Sequence, residues 1–253
     1  MIITFLGTGT SQGVPVIACG CEICSSPNPY DKRLRSSILV ESDSTTVVID
    51  SGPDFRYQML RGNVQKLDAL VFTHEHKDHV AGMDDIRAFN YKQQAPMEVY
   101  ADKRVQATLK REFPYVFDEH KYPGIPKVNL NTISADPFNV GDIVLTPIEV
   151  MHHKLPVLGF RINDFTYITD AKTIADSEKE KLKGSKILVL NALQKQEHLS
   201  HFTFQEAIDF ALEIGAETTY FTHISHRLGK HADVAAELPP GIELAYDRLK
   251  LSI

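Results

Sequence analysis

The chain of 253 residues has few cysteines, no excess of positive charge and no long apolar run. Each shortage removes a class of function. Three cysteines in one short stretch, an odd number, do not make a disulfide framework. Against 27 Lys and Arg stand 33 Asp and Glu, for a net charge of −6. That balance argues against a protein built to grip long nucleic acid but leaves a small phosphate-bearing substrate open. No apolar stretch approaches the ~20 residues of a membrane span. The start, MIITFLGTGTS, has no basic segment ahead of an apolar one, so we expect no signal peptide, no membrane partner and a cytoplasmic setting. Repeats, low-complexity tracts and long linkers are absent as well.

What remains is ordinary globular composition, 43% apolar and 24% charged, at a length that suits one domain over residues 1–253. Short apolar runs read as strands at 2–6, 37–41, 46–50, 69–73, 97–100, 143–150, 159–162, 165–169, 186–190 and 218–222. Helical patterns fall near 54–61, 84–94, 102–112, 175–183, 204–214 and 231–237. In the fifth, Phe204, Ala207, Ile208, Ala211 and Leu212 share a face and Gly215 is a natural stop. Early strands follow one another as hairpins and later ones alternate with helices, which predicts two sheets with helices outside. The proline-rich region 113–141 reads as a loop-rich insertion. Segments 85–96 and 113–127 are expected to shape the pocket.

The strongest chemical signal is FTHEHKDH, which places His74, His76, Asp78 and His79 directly after the buried-looking strand ALVFT. Imidazole and carboxylate groups this dense make sense around a cation such as zinc, manganese or iron. The same punctuation recurs. VMHHK puts His152 and His153 after one strand, YITDA puts Asp170 after another, and YFTHISH puts His223 after a third. Strand ends are where a rigid sheet edge presents chemistry. Adjacent side chains point to opposite sides, so only one of His152 and His153 can face the ions.

The H-x-H-x-D-H signature, with its distant His, Asp and final His, resembles the metallo-β-lactamase superfamily, as do FLGTGTSQGVP at the start and VVIDSG before the signature. The resemblance implies an αββα sandwich of two mixed, mostly antiparallel sheets flanked by helices. It also implies two divalent ions, Mn²⁺ or Zn²⁺. His74, His76 and His152 would hold one, Asp78, His79 and His223 the other, with Asp170 bridging. The related pattern H-x-K-L-P-V-x-G-[FY] starts on the first histidine and favours His152. Asp50 would be a buried carboxylate behind the ligands, or only a polar cap on a strand end.

Three further details resemble the PhnP family of phosphoribosyl 1,2-cyclic phosphate hydrolases. ACGCEIC holds Cys19, Cys21 and Cys24 in C-x-C-x2-C spacing, and THISH adds His226. The family uses these elements for one structural Zn²⁺, so a zinc-binding loop is expected at about 19–24. His201-x-Thr203 is the third detail, and in that branch the histidine sits by the scissile phosphate. From the residues alone His201 lies at a helix N-terminus, where anions are favoured. Thr203 with Gln205 or Glu206 also reads as an N-cap, and both can hold. The turn GTGTSQG offers Thr10, Ser11, Gln12 and Gly13 as weaker substrate contacts. Arg33 and Arg35 of KRLRSS fit phosphate less well than a solvated surface.

The expected activity is hydrolysis of a small phosphodiester, cyclic or nucleotide-like, by a hydroxide bridging the two ions. Asp78 would orient it and His201 would protonate the leaving oxygen. Hydrolysis of a thioester or lactone and a tRNA-processing type of nuclease are the alternatives. A homodimer is compatible with the sequence but does not follow from it.

Overall fold

The computed structural model describes residues 1–118 and 123–253. Among the described residues fourteen strands form two seven-stranded sheets. In chain order the strands are β1 (Ile2–Gly7), β2 (Ser37–Glu41), β3 (Thr46–Ile49), β4 (Ala69–Val71), β5 (Met97–Ala101), β6 (Val128–Thr132), β7 (Phe138–Val140), β8 (Ile143–His152), β9 (Leu155–Ile162), β10 (Phe165–Tyr167), β11 (Ile187–Asn191), β12 (Thr218–Thr222), β13 (Ile242–Leu244) and β14 (Lys250–Ser252). The first sheet runs β14-β1-β2-β3-β4-β5-β6 and the second β13-β12-β11-β10-β9-β8-β7.

Each sheet joins an antiparallel half to a parallel half. β14, β1, β2 and β3 pair antiparallel, whereas β3, β4, β5 and β6 pair parallel. The second sheet repeats this, with β7 to β10 antiparallel and β10 to β13 parallel. The balance is therefore even rather than mostly antiparallel. The reason is that crossover helices such as Phe55–Gly62 and Phe204–Ile214 return the chain to the same end of the sheet.

Three apolar clusters make the layers, and strand alternation feeds two of them at once. Val47, Ile49, Ala69 and Val71 point to the cluster between the sheets, while Val48 and Leu70 point to the outer helices. The central cluster also takes Phe160, Phe165, Tyr167 and Val189 from the second sheet. Leu188 and Leu190 turn outward to meet Ala207, Ile208 and Ala211. The order is thus helices, sheet, sheet, helices, the αββα sandwich. Ile49 is fully buried between the sheets, so truncation to Ala costs about 2–5 kcal/mol.

Differences from the sequence reading are local. The 113–141 region contains β6 and β7 and a short helix, Pro114–Phe117, so it is not simply loop; residues 119–122 lie outside the described residues. On the helix Phe204–Ile214 the buried set is Phe204, Ala207, Ile208, Phe210 and Ala211, and Leu212 is exposed. Phe210 stacks on Phe202 at 5.4 Å, which rotates the face. Among the described residues no helix is long and apolar enough to cross a membrane.

Candidate metal centre

The parallel strands deliver their C-terminal ends to one edge, and the polar side chains gather there. Asp50 follows β3, His74 to His79 follow β4, Asp170 follows β10 and His223 follows β12, while His152 ends β8. Asp50, Asp170 and His223 all hold left-handed backbone, with φ of 66°, 55° and 56°. Such strain in non-glycine residues is retained where the side chain must be aimed. The signature turn packs against VVIDSG through Ser51 N–H, which donates to the His79 carbonyl at 2.8 Å. A Cβ on Gly52 would lie 2.0 Å from the Asp78 carbonyl oxygen, so only glycine fits.

Hydrogen bonds fix which ring nitrogen each histidine offers. Asp50 accepts from Thr73 N–H at 2.9 Å, Thr73 Oγ1–H at 2.8 Å and His79 Nδ1–H at 2.7 Å. With its proton given to Asp50, Thr73 Oγ1 accepts from His74 Nδ1–H at 3.0 Å. His152 Nδ1–H donates to the Ser200 carbonyl at 2.8 Å. All three rings are thereby left with a bare Nε2 turned inward. Nε2 of His74 and of His79 are buried and make no hydrogen bond. Orphan lone pairs of this kind call for a cation.

Asp170 stands between two groups of donors. Its Oδ1 lies 3.5 Å from His79 Nε2 and 3.1 Å from His223 Nδ1; its Oδ2 lies 3.6 Å from His74 Nε2 and 3.3 Å from His201 Nε2. Asp78 Oδ2 is 3.2 Å from His79 Nε2. Ligands ~2.0–2.2 Å from one ion sit about 3.0–3.5 Å apart, so the spacing suits shared cations. The donor groups Asp78–His79–Asp170–His223, His74–His76–Asp170 and His152–Asp170–His201 each fall within 4.8 Å. His152 also packs its ring 5.2 Å from that of His76. His153 is exposed at φ 58°, so His152 is the member of the pair that faces the site.

The charges agree. Taken as protein groups alone, burial presses His74 well below its ordinary pKa, and the charge of His79 adds to this. Burial also lowers His79, but Asp78, Asp170 and Asp50 drive it well above its ordinary value. Burial would raise Asp170, yet His223 and His79 hold it well below the carboxylate range. Asp78 follows suit, with His79 overcoming burial. Burial pushes His223 down to about 4. Three carboxylates around one imidazole demand positive charge, which two divalent ions would supply.

His201 is buried at the entry to the helix Phe204–Ile214. Thr203 and Glu206 form the full capping box there, so the capping reading holds and His201 faces the site as well. The GTGTSQG turn is placed differently from expectation. Thr10 is buried and its Oγ1 lies 3.2 Å from His223 Nε2, so it is spent on a ring rather than open to substrate. Ser11 and Gln12 are exposed, and Gly13 holds φ 65°. Arg33 is buried, donating to Thr8 Oγ1 and the Ala245 carbonyl, and Arg35 pairs with Asp54 at 3.1 Å; neither is a free surface cation. Of the segments expected to shape the pocket, residues from 87–96 and 123–127 line a cleft of about 490 Å³ that includes none of the metal-centre side chains, with Asn90, Tyr91, Ile125 and Lys127 among its walls; residues 119–122 lie outside the described residues.

Sequence reasoning missed His198. Its Nδ1 lies 3.3 Å from His201 Nδ1, and the H-x-x-H spacing was the only available signal.

A second donor set lies apart. Sγ of Cys19, Cys21 and Cys24 are 3.4, 3.4 and 3.5 Å from His226 Nδ1. A tetrahedral zinc with Zn–S ≈ 2.3 Å and Zn–N ≈ 2.0 Å separates S from N by about 3.5 Å. The backbone N–H of Cys24 and the His226 ring lower the Cys21 thiol to about 6, towards the thiolate a metal needs.

The model of the Beta-lactamase superfamily domain matches residues 45–224. An octanoyltransferase of Porphyromonas gingivalis is 40% identical over 98% of this chain, but the chain spans only 51% of that protein. The crystal structure of a diphosphatase from the PhnP family superposes with a TM-score of 0.94 at 38% identity, over 100% of this chain and 97% of that one. Zn²⁺-bound PqqB from Methylobacterium extorquens shares the fold at a TM-score of 0.80 and 19% identity, over 100% of each chain.

Proposed function

Because the chain belongs to the β-lactamase superfamily, as a metal-dependent hydrolase, we propose that it hydrolyses a small phosphodiester or a nucleotide-like phosphate ester. The observation that carries this reading is His201 Nε2, 3.3 Å from Asp170 Oδ2 at the entry of an 11-residue helix. In this reading that atom gives a proton to an oxygen leaving group, and the helix N-terminus favours an anion beside it. The likeness to a PhnP-family diphosphatase over the whole chain supports hydrolysis at phosphorus.

In this reading His74, His76 and His152 would hold one divalent ion and Asp78, His79 and His223 the other, with Asp170 between them. When bound, the ions supply Lewis acidity to a phosphoryl oxygen and acidify water towards neutral pH. Asp78 stays ionised beside His79, orients the attacking water and accepts its proton. Asp50 keeps the His79 ring from turning. His201 Nε2–H passes to the leaving oxygen as it departs in line with the attack. The Cys19, Cys21, Cys24 and His226 set would hold a zinc, tying the first loop to the loop carrying His223. Acyl chemistry on a thioester is the weaker reading, because a thiolate leaves without a proton donor and His201 would be idle.

The test is a substrate panel with Mn²⁺- or Zn²⁺-loaded protein: cyclic nucleotides and bis(p-nitrophenyl) phosphate against thioesters and lactones. Turnover of the phosphodiesters supports the proposal. Turnover confined to acyl substrates in well-folded protein overturns it.

A further inference from the structure

Resting on the phosphodiesterase reading, the geometry points to one more residue of the machinery. His198 lies half-buried on the loop before His201, with the two rings 5.0 Å apart. Ser200 N–H faces His198 Nδ1 at 3.4 Å, and an amide N–H can only donate. His198 Nδ1 is therefore a lone pair, with the ring proton on the outer Nε2. His201 Nδ1 lies 3.3 Å from that lone pair. Two lone pairs would repel at this distance, so His201 Nδ1 carries the hydrogen. Ser200 Oγ, 3.2 Å from the same atom, adds a second acceptor.

We propose that His198 is a positioning residue for His201: it accepts the Nδ1–H and thereby confines proton transfer to Nε2, the atom turned toward Asp170 and the reacting centre. The balance is simple. The His201 imidazolium loses the hydrogen on Nε2, the new O–H bond forms on the leaving oxygen, and the ring is left as the Nδ1–H tautomer. His198 stabilises that tautomer. The same loop holds His152 through the Ser200 carbonyl, so one turn orients a metal-facing ring and the proton donor together.

The test has two arms. ¹⁵N–¹H spectra of imidazole-labelled, metal-free protein report whether His201 Nδ1 carries a hydrogen. Rates on a 2′,3′-cyclic nucleotide, whose alkoxide needs a proton, are divided by rates on bis(p-nitrophenyl) phosphate, whose phenolate does not. Wild type should show Nδ1–H on His201. His198→Ala should lose that Nδ1–H and lower the rate ratio at least ~10-fold with the bound-metal count kept, in line with the ~10–100-fold effects of such partners. His198→Asn, whose Oδ1 can replace the acceptor, should restore both. The proposal is overturned if His198→Ala keeps Nδ1–H on His201, if Ala and Asn behave alike, or if a metal ion is lost with the ratio. Should wild type turn over neither phosphodiester, the proposed function fails, and the nitrogen spectra alone decide the role of His198.

Discussion

Replacing His226 with Ala tests how far the cysteine cluster depends on the fold. Three of the four donors are local: Cys19, Cys21 and Cys24 lie within six residues and can chelate zinc in an unfolded chain. His226 is 202 to 207 residues away, so only the folded chain supplies it. The stability that zinc confers is the difference between those two states. Structural zinc binds with ~10–16 kcal/mol, and a fourth of that, about 3 kcal/mol, belongs to the ligand that folding adds. His226→Ala should thus lower stability by about 3 kcal/mol and Tm by roughly 6–12 °C at this size. Its hold on the zinc against a competing chelator should weaken about 100-fold. Calorimetry of the zinc-loaded variant beside wild type, with metal counted by mass spectrometry, reads both. Thr10 N–H still donates to the Ile224 carbonyl, so the ions at Asp170 should survive. A variant with full zinc affinity and a Tm within ~2 °C of wild type refutes the pairing.

Other expectations follow from the same contacts. His201→Ala should cut turnover of a cyclic nucleotide ~10²–10³-fold with the metal count intact; loss of an ion would make His201 a ligand instead of a proton donor. Asp50→Asn leaves His79 Nδ1–H and Thr73 without their full acceptor, and metal affinity measured by competition should fall ~10–100-fold. Thr10→Val should weaken metal binding about 10-fold by freeing His223 Nε2, and Thr10→Ser should restore it; equal behaviour of the two would refute a ring-holding role. His231 is pushed down to about 4 by burial and by the Arg33 charge. The unfolded chain therefore takes its proton first, and stability should decline as pH falls from ~6.5 towards 4. In denaturant titrations His231→Asn should flatten that stretch of the pH curve; an unchanged slope would assign it elsewhere.

How much could be read from the sequence depended on whether the signal was local. His74, His76, Asp78 and His79 announce themselves because four donors fall within six residues after an apolar strand. The full buried role of Asp50 needs Thr73, 23 residues on, and so appears only in the fold. Arg33 reads as surface charge within KRLRSS, yet it is buried while its neighbour Leu34 is less so. Burying a guanidinium requires distant acceptors, here Thr8 and Ala245, that no spacing reveals. The strands β6, β7, β13 and β14 escaped because each is short, lies at a sheet edge and carries polar residues, as in VNLNT and KLS. Thr10 was expected at substrate because a glycine-rich turn suggests exposed N–H groups; tertiary packing on His223 redirected it.

Phosphodiester hydrolysis by this chain should need two ions, one on either side of Asp170. Titrating Mn²⁺ into protein stripped of ions at the histidine and aspartate ligands, while following bis(p-nitrophenyl) phosphate hydrolysis, tests it most directly. Turnover should rise with added metal and saturate near two equivalents per chain. Full turnover at one equivalent, or none at any metal concentration in folded protein, would contradict it.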